Sequence, residues 1–397
     1  MAKLQRRELW MTVHRYLGLA SMLFLGLAAL TGCILAYAHP IDAALNADLF
    51  KRPVATTRVD PALAAERYQA ANPGVQIVSL VLNPGEGRNL AIAVAAAPGG
   101  EAPALDQVFL DGVDGHVVGA RSTAPGWGQR QIIAGLTLFH YTLLAGDWGR
   151  WLMGVMALAW LISIVVGVYL TLPRKGPFLT TWRRAWTFSF RSIFARLMID
   201  IHRASGLWVL IGVAILAFTS VCLNFYGEAY EPTVVRISPL KRSLFDRPAP
   251  FPDGTTPRLN WQQGIAAAQA HARQVGQGWR PATALYNPKW NLYAVTFTND
   301  GSLNYRALGP VYYYVDGNDG RYVHDVDPYS DSAGLVMIRM LYPLHSGQVG
   351  GPITVFIIFL MGLATVEMCG TGLYIWWKKR RSRVAAAVAR KRLEARA

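Results

Sequence analysis

"VHRYLGLASMLFLGLAALTGC" (Val13 to Cys33) and "IHRASGLWVLIGVAILAFTSVC" (Ile201 to Cys222) are two versions of one segment. Each opens on His-Arg and runs into a long apolar stretch. A polar group entering lipid is unfavourable unless it finds a partner. A His-Arg pair at both mouths therefore needs a reason. The repeat also extends beyond these segments. "LFHYTLLAGDWGRWLMGVMALAWLISIVVGVYLTLPRK" (Leu138 to Lys175) parallels "PLHSGQVGGPITVFIIFLMGLATVEMCGTGLYIWWKKR" (Pro343 to Arg380). "VFLDGVDGHVVGAR" (Val108 to Arg121) parallels "YYYVDGNDGRYVHDV" (Tyr312 to Val326). The chain reads as a duplication, each half being helix, polar α+β segment, helix.

The composition agrees with a membrane protein. Only 16% of the 397 residues are charged and 52% are hydrophobic, whereas a soluble chain carries about 25% charged residues. Four stretches, 17–38, 151–172, 205–225 and 353–377, reach the roughly 20 apolar residues that a bilayer crossing needs. The fourth contains a lone acid, Glu367, and ends in "LYIWWKKRR", an aromatic belt followed by a cationic stop. "AYA" (Ala36 to Ala38) resembles a signal cleavage site. The length of the first apolar run, and its recurrence inside the chain, argue for a retained span.

Charge gives the expected orientation. Residues 1–16, 173–203 and 378–397 hold 20 Lys and Arg against three acids, Glu8, Asp200 and Glu394. The positive-inside rule puts these segments in the cytoplasm. They account for more than the whole net charge of +15, so the basic pI reflects topology and calls for no nucleic-acid partner.

The expected fold class is an integral membrane α-helical bundle of four transmembrane helices, duplicated two plus two, with two periplasmic α+β modules. The plan is a cytoplasmic N-terminus and first span over 1–38 and a first module over 39–135. An interfacial helix and second span follow over 136–175, then a cytoplasmic basic loop over 176–199. The third span covers 200–225 and the second module 226–335. The last interfacial helix and span cover 336–378, before a cytoplasmic basic tail over 379–397. Both termini are expected in the cytoplasm of a bacterial inner membrane. Each module opens on a helical pattern ("PALAAERYQAANPG", 61–74; "NWQQGIAAAQAHARQ", 260–274) and continues in strand-like runs. A hairpin on Asp-Gly or Asn-Asp-Gly follows, as two-residue hairpin loops favour. Each small sheet needs its helix on one face to make a core.

Four of the eight His occupy matching places in the repeat: His14 with His202, and His140 with His345. His14 and His202 start helices entering from the cytoplasm, and His140 and His345 precede helices returning from the periplasm. A pseudo-twofold bundle brings each pair face to face. Two facing imidazoles in a helical bundle are what a six-coordinate haem iron needs. Zinc or copper is the competing metal, but two His per level are too few for a closed zinc site. "GLTLFHYTLL" and "MIRMLYPLHSG" read as short interfacial helices. The glycines of "AGDWGR" and "SGQVGG" allow a chain break or the close approach of a flat macrocycle. Arg15 and Arg203 follow candidate ligands and suit either a clamp on haem propionates or ordinary positive-inside cations. Arg150 and Arg339 are weaker counterparts on the outer side. Cys33 and Cys222 suit either a disulfide or buried small residues.

These motifs resemble the PepSY-associated transmembrane proteins, also called iron-regulated membrane proteins. Within them the chain is similar to the FoxB-type siderophore reductases. The carriers are "HRYLGL", "HRASGL", "HYTLLAGDWGRWL", "PLHSGQVGG", "GVYLTLPR", "GLYIWWKKR" and the two "DG..G" hairpins, and the likeness covers nearly the whole chain. It implies two b-type haems, the inner one on His14 and His202 and the outer one on His140 and His345. It further implies electron transfer across the bilayer to a ferric siderophore or other metal chelate in the periplasm. Some relatives carry a fused flavin reductase domain. None is read here, so a separate electron donor, a quinol or a cytoplasmic reductase, is expected. No catalytic acid–base residues are required. The other reading is a PepSY binding, sensor or assembly protein without redox activity. The region after His140 lacks the Gly that follows His345 by two residues.

Overall fold

A computed structural model describes residues 2–54, 57–241, 243–302 and 306–395. Arg396, one of the tail cations counted above, lies outside them. The chain divides into two units. The first comprises 1–36, 137–231 and 344–397, and the second 37–136 and 232–343.

In the first unit three helices are long and apolar enough to cross a membrane: Arg6–Leu35, Gly146–Thr171 and Pro352–Ala389. At 1.5 Å per residue each exceeds the hydrocarbon thickness of about 30 Å. The expected third span is a bent pair, Phe194–Trp208 and Leu210–Asn224, meeting at 72°. Among the described residues the count is thus three candidate spans, or four with the bent pair taken as one. No proline causes the bend. Val209 leaves helical geometry at φ −97°, ψ 6°. The arm before it is tied to a neighbouring turn, because Arg203 donates to the carbonyls of Arg184 and Ala185 and Trp208 Nε1 donates to that of Trp186.

The last helix also departs from expectation. It runs unbroken over Pro352–Glu394, absorbing the segment read as a basic tail. Its Ala- and Arg-rich sequence has high helix propensity. "GLTLFHYTLL" and "MIRMLYPLHSG" do form separate helices, Ile132–Thr142 and Ala333–Ser346. All three cysteines are free thiols, Cys33 and Cys222 being buried.

Small residues let the spans approach. A Cβ on Gly362 would lie 2.5 Å from Cys33 Sγ on the first span, and one on Gly154 would lie 2.6 Å from the Phe225 ring.

The second unit corrects the expectation of two separate small sheets. Its strands are β1 (Val75–Val81), β2 (Leu90–Ala96), β3 (Gln107–Leu110), β4 (Val117–Arg121), β5 (Arg280–Asn287), β6 (Leu292–Thr298), β7 (Val311–Asp316) and β8 (Tyr322–Val326). They form one antiparallel sheet in the order β4-β3-β2-β1-β5-β6-β7-β8. The seam is the β1–β5 pairing of Ser79 with Leu285, Leu80 with Ala284 and Val81 with Thr283. Joining the first strand of each meander removes two exposed edges at once.

Helices Pro61–Ala71 and Trp261–Gln274 supply one shared core with the sheet. Ala64, Ala65, Leu80, Ala268, Ala284 and Val295 in it are completely buried. Asp60 caps the first of these helices through Leu63 N, and Asn260 caps the second through Gln263 N.

The hairpins turn on the expected glycines but with four-residue loops. Asp111 N donates to His116 O, and Asp316 N to Arg321 O. Gly115 and Gly320 take φ +82° and +73° there, and a Cβ on either would sit 3.0–3.2 Å from an alanine methyl of the covering helix.

Candidate functional site

The chain reverses sharply after His140. Leu143 and Leu144 both adopt left-handed backbone, φ +52° and +61°, followed by Gly146 at +56°. A Cβ on Gly149 would collide with the Thr142 carbonyl, so the two helices cross with no room for a side chain. In the second half Gly347 (φ +78°) and Gly351 (φ +71°) make the matching reversal. The missing glycine after His140 is thus made good by two strained leucines, each of which costs roughly 1–3 kcal/mol. The reversal in each half fixes where the imidazole enters the bundle.

The four repeat-matched histidines meet as two pairs. The His14 and His202 ring centres lie 6.4 Å apart with planes inclined at 66°. Those of His140 and His345 lie 6.3 Å apart at 60°. A metal bound by two opposed imidazole nitrogens requires about 2 Å of bond and about 1.1 Å from nitrogen to ring centre on each side, roughly 6.2 Å in all.

The ring tautomer is set as well. His140 Nδ1 lies 2.9 Å from Thr31 Oγ1, His202 Nδ1 2.9 Å from Thr371 Oγ1, and His345 Nδ1 3.0 Å from Thr219 Oγ1. Each threonine hydroxyl already donates to a carbonyl one turn back in its own helix: Leu27, Glu367 and Ile215. It can then only accept from the imidazole. His14 Nδ1 lies 3.0 Å from the Ser163 carbonyl, which is an acceptor only. All four rings therefore carry the proton on Nδ1 and keep a lone pair on Nε2. No hydrogen bond to any of these Nε2 atoms occurs among the described residues.

Glycines press against three of the rings. A Cβ on Gly32, Gly167 or Gly372 would lie 3.2–3.3 Å from Cε1 of His140, His14 or His202 respectively. His14 and Thr31 mark the two levels on one straight helix. Seventeen residues separate them, about 25 Å along the axis, so the pairs stand near opposite ends of a bilayer-sized span.

The threonines and Ser163 are what the sequence reading missed. One signal was present: Thr31 follows His14 by the same interval as Thr219 follows His202.

Of the two arginines beside the first pair, Arg203 is engaged. It ion-pairs with Asp200 at 2.9 Å in addition to its carbonyl contacts. Arg15 is half-buried and makes no ion pair or side-chain hydrogen bond among the described residues. Arg150 is bound by Glu228 at 2.5 Å and by the Asn224 carbonyl. Arg339 stacks over the Tyr312 ring, 5.3 Å from its centre.

The other four His go elsewhere. His271 stacks on Tyr322 at 3.9 Å, His324 lies by Tyr314, His39 by Phe50, and His116 pairs with Asp114 at a hairpin tip. The one group of three or more metal-type donors among the described residues is Asp111, Asp114 and His116. It sits in that exposed hairpin loop, where Asp111 and Asp114 already accept from Val113 N and His116 N. Neither His pair has a third Cys, His or carboxylate ligand atom close enough to share one ion with it, within 4.8 Å, among the described residues. Each can grip a metal from two opposite sides and cannot enclose one.

Residues 11–379 match the family model described as the PepSY-associated TM region. No curated protein matches the chain.

Proposed function

The chain belongs to the PepSY-associated TM family, and on that premise we propose that it is a di-haem electron-transfer protein of the FoxB type. It takes electrons from a separate donor, a quinol or a cytoplasmic reductase, and reduces a ferric siderophore or similar chelate in the periplasm. One observation carries this reading. Four imidazoles, paired at 6.3–6.4 Å, all present an unprotonated Nε2. Two donors per level suit a macrocycle that brings its own four nitrogens, and leave a tetrahedral zinc site half made.

The residues fit two b-type haems. His14 and His202 would hold one, and His140 and His345 the other. A bound b-type haem supplies a one-electron Fe(III)/Fe(II) couple. The protein's part is orientation. Thr31, Thr219, Thr371 and Ser163 lock each ring through Nδ1. Gly32, Gly167 and Gly372 let the backbone pack directly against the rings. Arg15, which makes no ion pair or side-chain hydrogen bond among the described residues, would be the propionate contact on the first level, whereas Arg203 mainly anchors the turn at 183–186.

The positive-inside bias supports a cytoplasmic side for residues 1–16, 173–203 and the C-terminal cations in a bacterial inner membrane. The sheet unit then lies in the periplasm, where the ferric chelate is substrate. Reduction frees the metal because hard oxygen chelators hold Fe(II) less tightly than Fe(III).

Reduced-minus-oxidised spectra of the detergent-solubilised protein test the proposal. B-type bands at two haems per chain are expected. His14→Ala and His140→Ala should each remove about half of the absorbance. A purified protein without such bands defeats the reading, and leaves a PepSY binding or assembly role.

A further inference from the structure

The last span carries a single acid within its apolar stretch, Glu367. Its Oε2 accepts a hydrogen bond from Ser205 Oγ at 2.7 Å. Its Oε1 is buried with no hydrogen-bond partner. Both residues sit beside the first His pair. Ser205 lies three residues beyond His202 on the same helix. Glu367 lies one turn before Thr371, and its backbone carbonyl accepts from the Thr371 hydroxyl that holds His202 Nδ1.

The duplication shows that the fold does not require this polar pair. The register matching His14 to His202 matches Leu17 to Ser205, and the register matching His140 to His345 matches Ile162 to Glu367. The other half makes the same bundle with two apolar side chains. An acid at membrane depth with one oxygen unsatisfied is unfavourable, and such residues characteristically serve ion or proton movement.

The other charged and titratable groups at this level stand on the same helix and on the two elements packed against it. On Phe194–Trp208, Asp200 is held between Arg196 and Arg203, and His202 is tied to Thr371. Arg6–Leu35 brings His14 and Arg15. The neighbouring Leu210–Asn224 brings only Cys222, near its far end. Cys369 is the nearest titratable group on the same helix. None of these ion-pairs with Glu367 among the described residues.

We infer that Glu367 is a redox-linked proton site. Its carboxylate would take one proton from water when one electron, from a one-electron donor, reached a metal that His14 and His202 would hold. One negative and one positive charge enter together, and Glu367 becomes a neutral acid hydrogen-bonded to Ser205. The physical reason is the low dielectric: a lone added charge is costly there, and a charge of opposite sign entering with it offsets that cost. The inference rests on the haem reading above.

Redox titration of the whole purified protein with dye mediators, from pH 5 to 9, tests it. The component of interest is the one that His14→Ala removes. Its midpoint should fall with rising pH, approaching ~59 mV for each tenfold change in proton activity. Glu367→Gln should give a flat midpoint near the acid limit of the unaltered protein, because Gln mimics the protonated acid. Glu367→Asp should keep a slope. A slope that survives in Glu367→Gln, or no slope in the unaltered protein, overturns the inference while the haem reading stands. A sample with no haem bands overturns both.

Discussion

Thr31 and His140 sit 109 residues apart in sequence, and their Oγ1 and Nδ1 atoms lie 2.9 Å apart. The threonine hydroxyl also donates to the Leu27 carbonyl, so it receives the imidazole proton. A span residue thus decides which nitrogen of a ring on another helix is free. Thr219 does the same for His345 at 3.0 Å.

Removing that acceptor should weaken the second-level site without dismantling the bundle. Thr31→Val keeps the branched shape and deletes the oxygen. Loss of an outer partner to a metal-bound His lowers affinity roughly 10–100-fold. Haem per protein, measured after purification in the presence of a competing haem acceptor, should drop on one level only. Thr219→Val should match it. Unchanged occupancy in both variants would mean that the hydroxyls do not orient the rings.

Gly167 and Gly372 are predicted to be intolerant of side chains for a reason local to the rings. A Cβ at either stands 3.2–3.3 Å from a Cε1 of the first pair, and a branched side chain must displace the imidazole. Gly167→Val and Gly372→Val should each abolish about half of the haem absorbance and spare the remainder. Gly18→Ala is the control, since a Cβ there meets nothing within 4 Å. An equal effect of all three would assign the loss to general misfolding.

The parts of this architecture that depend on local pattern were legible in the sequence. The apolar runs, the repeat, the module helices and the hairpin glycines are all short-range signals, and His14, His202, His140 and His345 came from comparing the two halves. The sheet seam was not legible, because a period of two shows which faces of β1 and β5 are buried but not which strand lies beside them. The bend at Val209 was hidden for a similar reason. Its cause is Arg203 and Trp208 reaching carbonyls some twenty residues away in sequence. The same contacts, with Asp200, give Arg203 a structural task that its position after His202 concealed. The hydroxyls escaped notice because Ser and Thr in spans usually back-bond to their own helix. Those here do so and still accept from a ring.

Acid should loosen one edge of the sheet unit first. Asp106 Oδ1 accepts from Thr123 N at 2.6 Å and Oδ2 from Thr123 Oγ1 at 2.5 Å. Burial alone pushes this carboxyl up, but the two Thr123 hydrogen bonds outweigh it and leave the pKa below the usual carboxylate value. The folded state therefore binds the proton less readily than the unfolded chain. The stabilisation is complete above the unfolded value near pH 4 and is lost as pH falls through the lower folded value. Hydrogen exchange at Thr123 N should accelerate below about pH 4 relative to the intrinsic rate. In Asp106→Asn this acid step should vanish, and its persistence there would assign the loosening to another group.

The seam gives the last prediction, about cooperativity. Leu80 and Ala284 face each other across β1 and β5, and both are completely buried. Their side chains belong to a core that helices Pro61–Ala71 and Trp261–Gln274 share. Leu80→Ala removes three carbons from a site with no solvent to fill the gap, a loss of about 2–5 kcal/mol. With two separate modules, only the first would feel it. With one sheet and one core, the destabilisation must reach β5, β6 and β7 as well. Exchange of their amides under conditions favouring global opening should rise together with that of β1 and β2, by a similar factor. Faster exchange confined to residues before the seam would show that the two modules open independently, and that the pairing of Ser79, Leu80 and Val81 with β5 contributes little to holding them together.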